Sequence, residues 1–209
     1  KPFRRLDADP MELRSARWVT NNLIFGTAWQ QRREKVRGPE DDTYDYLTYS
    51  YNLDNNKFTT IRVSFRIVND LPNEPNTVLV AAGNAVRGGY GVDPFAAFRP
   101  RSYYRLNLVK GTKQLVLKGT RKYGSIGFDN DGYPRFATGF DADNKLKTYY
   151  RKPGDSSWTQ FGVEYDADDH DNLYRFLTRF QGLAHIDPDN PNLGYMIEAR
   201  NGDDKAALW

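Results

Sequence analysis

The nearest approach to a nucleophile motif in this 209-residue chain is YGSIGF, residues 123–128. A hydrolase serine sits on a strained strand-to-helix elbow, which takes glycine on both sides in a Gly-x-Ser-x-Gly pattern. Tyr123 occupies the first of those places, so the elbow is absent. A triad also needs an imidazole held by a carboxylate, and there are only two histidines. His170 lies in YDADDHDNLYRF and reads as a solvated loop residue; His185, beside Ile186, reads as a packing residue at a strand end. No catalytic residue is assigned.

Metal chemistry has one candidate. Asp166, Asp168, Asp169 and Asp171 place four carboxylates within six residues, the hard oxygen donors that calcium prefers. The cluster lacks the glycine and terminal glutamate of a calcium-binding loop, and it reads as a solvated loop between strands. Paired carboxylates for glycoside cleavage must face each other across a cleft, and spacing alone selects no pair among 27 acids. Cysteine is absent, which removes disulfides, thiolate nucleophiles and cysteine metal sites together. VKGTKQ lacks the Walker and dinucleotide glycine patterns and reads as a hairpin turn. No cofactor and no metal are expected.

The stretch RGGYGVDPFAAFRPRS, residues 87–102, is the best candidate for binding. Gly88, Gly89 and Gly91 loosen the backbone, while Tyr90, Phe95, Phe98, Arg99 and Arg101 are the aromatic and arginine side chains from which interface hot spots are built. The plain alternative is an insertion between strands whose aromatics pack back on the sheet.

The elements that would carry these residues are strands. Fourteen Tyr, 12 Phe and 4 Trp favour β structure, and no window sustains helical apolar spacing over three turns. No apolar stretch approaches the roughly 20 residues of a membrane span. The formal charge is only +3, and the basic residues of QQRREKVRGPEDD (30–42) give way to acids. That segment reads as a solvated loop, so neither a nucleic-acid nor a membrane partner is expected.

Asn and Asp, with Pro or Gly, precede an apolar run four times, with turns at residues 22, 76, 132 and 192, spaced by 54, 56 and 60. Each segment reads as strand, tight turn, strand, because these residues supply the backbone angles that turns demand. A second hairpin follows the first three: YSYNLDNNKFTTI (49–61), YRLNLVKGTKQLVL (104–117) and YYRKPGDSSWTQFG (149–162). Two hairpins per unit make a four-stranded blade. The expected fold is all-β, a partial β-propeller of about four blades of four antiparallel strands, with a β-sandwich as the alternative. The approximate units are 13–66, 67–122, 123–180 and an incomplete 181–209. Either FRRLDA near the N-terminus supplies a missing strand, or the sequence is one piece of a longer chain; the second reading is preferred.

The blade sequences resemble the N-terminal propeller of prolyl-oligopeptidase-family serine peptidases, the dipeptidyl-peptidase and acylaminoacyl-peptidase-like branch found in bacteria. ARWVTNNLIFG is similar to a blade opening of that family. DLPNEPNTVLVA with YYRLNLVKGTKQLVLKG resembles its Leu-Pro turn and aromatic hairpin. FDNDGYPRFATGFD with YYRKPGDSSWTQF resembles its Asp-x-x-Gly-x-x-Arg strand and Pro-Gly-x-x-x-Trp hairpin, and IDPDNPNLGYMIEARNGDDKAALW its Asp-Pro turn and Tyr strand. The set covers nearly all of the chain. Its departures are a missing first-blade segment, the charged insert 30–42 and the long stretch 87–102.

The resemblance implies a non-catalytic propeller that caps a following α/β-hydrolase domain and restricts access to small peptides. It implies two partners, that hydrolase domain of the same parent chain and the peptide substrates; the lack of cysteine fits a cytoplasmic and a periplasmic setting equally. The alternative function is a self-contained carbohydrate- or protein-binding module, with Trp29, Tyr90 or Trp158 stacking on its ligand.

Overall fold

The computed structural model describes residues 9–32, 43–61, 65–82, 98–169, 171, 182–187, 190, 192–198 and 207–208. Apart from single residues of helical geometry at Phe98 and Asp171, these are strands, turns and extended connections. No helix among them is long and apolar enough to cross a membrane.

Four sheets follow one another along the chain. The first holds β1 (Glu12–Thr20), β2 (Leu23–Arg32), β3 (Thr43–Asn52) and β4 (Lys57–Ile61). The second holds β5 (Phe65–Asn69), β6 (Thr77–Ala82), β7 (Ser102–Asn107) and β8 (Thr112–Lys118). The third is β9 (Ser125–Phe128), β10 (Pro134–Phe140), β11 (Lys145–Tyr150) and β12 (Thr159–Asp166). The fourth, with three described strands, is β13 (Gly182–Ile186), β14 (Gly194–Glu198) and β15 (Ala207–Leu208). Strand order equals chain order in each, and the pairings β1–β2–β3–β4, β5–β6, β9–β10–β11–β12 and β13–β14–β15 are antiparallel. This is the all-β class expected, built from meanders of the kind that form propeller blades.

The turns fall where the sequence places them, for a local reason. Asn56, Asn76 and Asn144 have φ of 55°, 60° and 60°, and Gly111, Gly132 and Gly154 have φ of 70°, 75° and 80°. Asparagine and glycine tolerate that region best. One reading is corrected: residues 30–32 belong to β2, where Gln30, Gln31 and Arg32 pair with Asp45, Tyr44 and Thr43. Backbone pairing with β3 outweighs the polar side chains that suggested a loop, since strand residues need only one buried face. Residues 33–42 and the FRRLDA segment lie outside the described residues.

The chain divides into two compact units. The first contains residues 1–70, 74–82 and 104–114. Its core joins Leu23 and Phe25 of β2 with Phe65, Val78, Val80, Leu106 and Leu108. The spacing of two on β2 and β6 points these side chains to one face. β3 is buried on both faces: Tyr49 and Tyr51 on one, Thr48 and Ser50 on the other. The second face tolerates hydroxyls because they are satisfied. Ser50 Oγ donates to the Leu108 carbonyl, and Thr48 Oγ1 accepts the Phe65 N–H at 3.4 Å.

The second unit contains residues 71–73, 83–103 and 115–209. Around its third sheet, Phe140, Leu146 and Ala167 form an apolar cluster with Phe98 and Tyr165 against it.

Candidate functional site

The third sheet is shaped by one device used twice. Asp129 Oδ1 accepts the N–H groups of Asp131 at 3.1 Å and Tyr133 at 2.8 Å, while Gly132 N donates to the Asp129 carbonyl at 3.0 Å. Its second oxygen, Oδ2, pairs with Arg135 Nη1 at 3.2 Å. Asp141 repeats the pattern: Oδ1 accepts the N–H groups of Asp143 at 3.0 Å and Lys145 at 2.9 Å, and Oδ2 pairs with Lys147 Nζ at 2.7 Å. Asp–x–x–Gly/Asn–x–x–Arg/Lys is thus a complete turn-to-strand unit. One carboxylate oxygen closes the turn, and the other holds a cation inside the following strand. Asp187 is a variant of it, its Oδ1 accepting the Asn190 N–H at 2.9 Å and its Oδ2 accepting the Tyr195 hydroxyl at 3.1 Å.

The two copies differ in surroundings. The Arg135 and Asp129 side chains are 6% and 13% exposed, an ion pair inside the sheet. Lys147 also reaches Glu164 Oε2 at 3.2 Å, and Lys145 meets Glu164 Oε1 at 2.7 Å, in a partly solvated network. Hydrogen bonds from Lys147, then from the Lys145 N–H, hold the Asp141 carboxyl below its ordinary value, and Lys145 and Lys147 do the same to Glu164. Lys147 is pushed up by Asp141 and Glu164, and Lys145 by Glu164.

Carboxylates with depressed values leave the unfolded chain binding more protons in acid. The network's contribution is therefore complete above the ordinary carboxylate range, about pH 4, and is lost as pH falls through the folded values. Its lysines set the opposite limit at alkaline pH. Urea unfolding of Lys147→Met between pH 6 and 3 is expected to show a shallower fall in stability than the parent chain, and an identical slope would contradict this assignment.

Three of the five expected binding residues are described. Tyr90 and Phe95 lie outside the described residues. Phe98 is half-buried, its ring edge-on to Phe140 at 5.8 Å and 90°. Arg101 is half-buried, its carbonyl accepting the Gly119 N–H at 2.7 Å, and Arg99 is exposed. A Cβ on Gly124 would stand 1.7 Å from the Phe98 carbonyl oxygen, so glycine there admits the 98–101 segment against the sheet.

Of the catalytic readings, Ser125 opens β9, paired opposite Thr138 on β10. His185 is on β13 opposite Tyr195, and His170 lies outside the described residues. Asp166 Oδ1 accepts the Asp168 N–H at 3.0 Å, so this acid closes a turn. Among the described residues, no three His, Asp or Glu side chains gather as a metal site.

The clearest feature that sequence reasoning did not assemble is a row of rings and cations on the third sheet. Tyr123 stacks on Trp158 at 5.3 Å and 27°, and meets Tyr149 edge-on at 5.1 Å. Lys122 Nζ lies 5.5 Å from the Tyr123 ring and 5.2 Å from Tyr149, and the Arg151 guanidinium lies 5.0 Å from the Trp158 ring. In the first unit Arg14 lies 4.8 Å from the Trp29 ring. Both tryptophans proposed for ligand stacking are thus engaged with neighbouring side chains. Trp18, 58% exposed, lines an open depression with Val19, Thr20 and Asn21 at the first hairpin.

No protein-family model and no curated protein matches the sequence. Among solved structures, the chain is similar to the β-propeller domain of the Trilobed protease from Pyrococcus furiosus, with 15% identity and a TM-score of 0.39, over 75% of this chain and 43% of that one. It is also similar to Pyrococcus horikoshii acylaminoacyl peptidase, with 16% identity and a TM-score of 0.36, over 75% of this chain and 20% of that one. The chain spans less than half the length of either protein.

Proposed function

We propose that these 209 residues are a non-catalytic propeller portion of a serine peptidase of the prolyl-oligopeptidase type, gating the approach of peptides to a hydrolase domain of the same parent chain. The observation that carries this reading is the succession of antiparallel meanders whose turns hold the family-like segments. DNDGYPR closes the β9–β10 turn through Asp129 and Arg135, and the Pro-Gly-x-x-x-Trp segment joins β11 to β12. Peptides are the substrates of the parent enzyme in this reading, and the 87–102 stretch contributes contacts to peptide or hydrolase domain. Phe98 would act there by positioning the segment, and Arg99 and Arg101 by contact.

The test is direct. The isolated chain is expected to show no hydrolysis of aminoacyl or dipeptidyl chromogenic substrates above a buffer blank. The natural reading frame is expected to continue into a Gly-x-Ser-x-Gly region. Turnover by the isolated chain, or a stop codon soon after Trp209, defeats the proposal.

A further inference from the structure

On the third sheet two guanidinium groups stand together, and Asp129 pairs with one of them. Arg135 gives Nη1 to Asp129 at 3.2 Å and Nε to the Arg151 carbonyl at 2.8 Å. Arg151 N–H returns a bond to the Arg135 carbonyl at 2.8 Å, so the two residues are fixed backbone to backbone. The Arg151 side chain is then held twice more. Its Nε donates to the Pro134 carbonyl at 3.2 Å, and its guanidinium carbon lies 5.0 Å from the centre of the Trp158 ring, itself stacked on Tyr123.

That leaves Nη1 and Nη2 of Arg151. Among the described residues neither donates to any acceptor, although the side chain is half-buried. Asp155 acts on it through space, with no ion pair between them. A cation taken partly out of water beside a second cation is costly unless an anion answers it. Burial first, and then the Arg135 charge, lower the Arg151 pKa, the direction expected of a guanidinium short of a counter-ion. The side chain is nonetheless immobilised, with its fork pre-set at little further entropic cost.

We propose that Arg151 is a binding site for a carboxylate, which takes the paired Nη1 and Nη2 donors of the guanidinium while Trp158 and Tyr123 keep its plane in position. The planar, two-oxygen geometry of a carboxylate matches the arginine fork in a way that a point anion does not. The carboxylate belongs to an acidic side chain or to a free C-terminus. The site does not depend on the peptidase reading; it rests on the side chains of one sheet.

The experiment follows the Arg151 Nε–H and Trp158 indole N–H resonances of the 209-residue chain in a nuclear magnetic resonance titration, at ionic strength held constant with chloride. Three ligands are titrated: N-acetyl-glutamate α-amide, which offers only a side-chain carboxylate, an N-acetylated trialanine with a free C-terminus, and inorganic phosphate. The amide counterparts of the first two serve as controls. Saturable shifts with either carboxylate and none with its amide are expected, the tighter one naming the source. Affinity is expected to fall about tenfold or more in Arg151→Lys, which keeps the charge and loses the fork, and to vanish in Arg151→Met. The proposal is overturned by the absence of a saturable shift, by equal shifts from the amides, by unchanged binding in the lysine variant, or by phosphate binding tighter than both carboxylates.

Discussion

Asp129→Ala is expected to lower the unfolding free energy by about 3–5 kcal/mol, the usual cost of stripping one partner from a buried ion pair. Three losses coincide. The carboxylate closes the turn through the N–H groups of Asp131 and Tyr133, and it is the described counter-ion of Arg135, whose side chain is only 6% exposed. Removal takes the carboxylate from a guanidinium inside the sheet, whose Nε still donates to the Arg151 carbonyl. Asp129→Asn keeps acceptor capacity for the turn and removes the charge, so its loss is expected to be smaller. Arg135→Met deletes the cation and is expected to cost less than Asp129→Ala, because the carboxylate left behind still accepts the Asp131 and Tyr133 N–H groups and keeps the turn closed. Urea midpoints for the three variants supply the ranking. A loss under about 1 kcal/mol for Asp129→Ala, the scale of a solvated pair, would show that the ion pair carries no special weight.

Gly124→Ala is expected to be nearly as damaging, through sterics alone. Its methyl group would meet the Phe98 carbonyl oxygen at 1.7 Å and the Phe98 carbonyl carbon at 2.6 Å. These are backbone atoms and cannot turn aside as a flexible side chain would. The 98–101 segment must move, pulling Phe98 from Phe140 and Arg101 from Gly119. Overpacking of this kind costs about 1–3 kcal/mol and occasionally more. The substitution also gives a way to displace the expected binding segment without altering Arg99 or Arg101. Thermal unfolding together with limited proteolysis near residue 98 reads both effects. Parent-like stability with an unchanged cleavage pattern would mean that the approach of these two backbones is not required.

Turns and strands were legible because their causes are local. Asn56, Asn76, Gly111, Gly132 and Gly154 sit where a positive φ is needed, and each announces itself by residue type. Period-two runs such as Leu23 with Phe25 mark a buried face without reference to anything distant. The charged stretch 30–32 misled, because backbone pairing to β3 does not depend on side-chain polarity. Burial of Thr48 and Ser50 was invisible for the opposite reason: their donor and acceptor partners are Phe65 of β5 and Leu108 of the turn after β7, both distant in sequence.

The candidate site was legible in part. An aromatic such as Phe98 advertises burial or binding equally, and only the ring of Phe140 decides its packing. Asp129 and Arg135 stood in a quoted motif, yet their pairing and its copy at Asp141 and Lys147 appear only when the sixth-residue spacing is read as one geometric unit. Arg151 gave no signal at all. Its standing comes from a carbonyl of Pro134 and a ring of Trp158, neither of which spacing can nominate.

The chain-order strand sequence of every sheet has a bearing on synthesis. Loop closure between consecutive strands is entropically cheap and contacts of this kind form early. Each strand after the first of its sheet therefore finds a hydrogen-bonding neighbour in the strand made just before it. Vectorial assembly of this kind keeps unpaired edges short-lived while the rest of the polypeptide is still being translated.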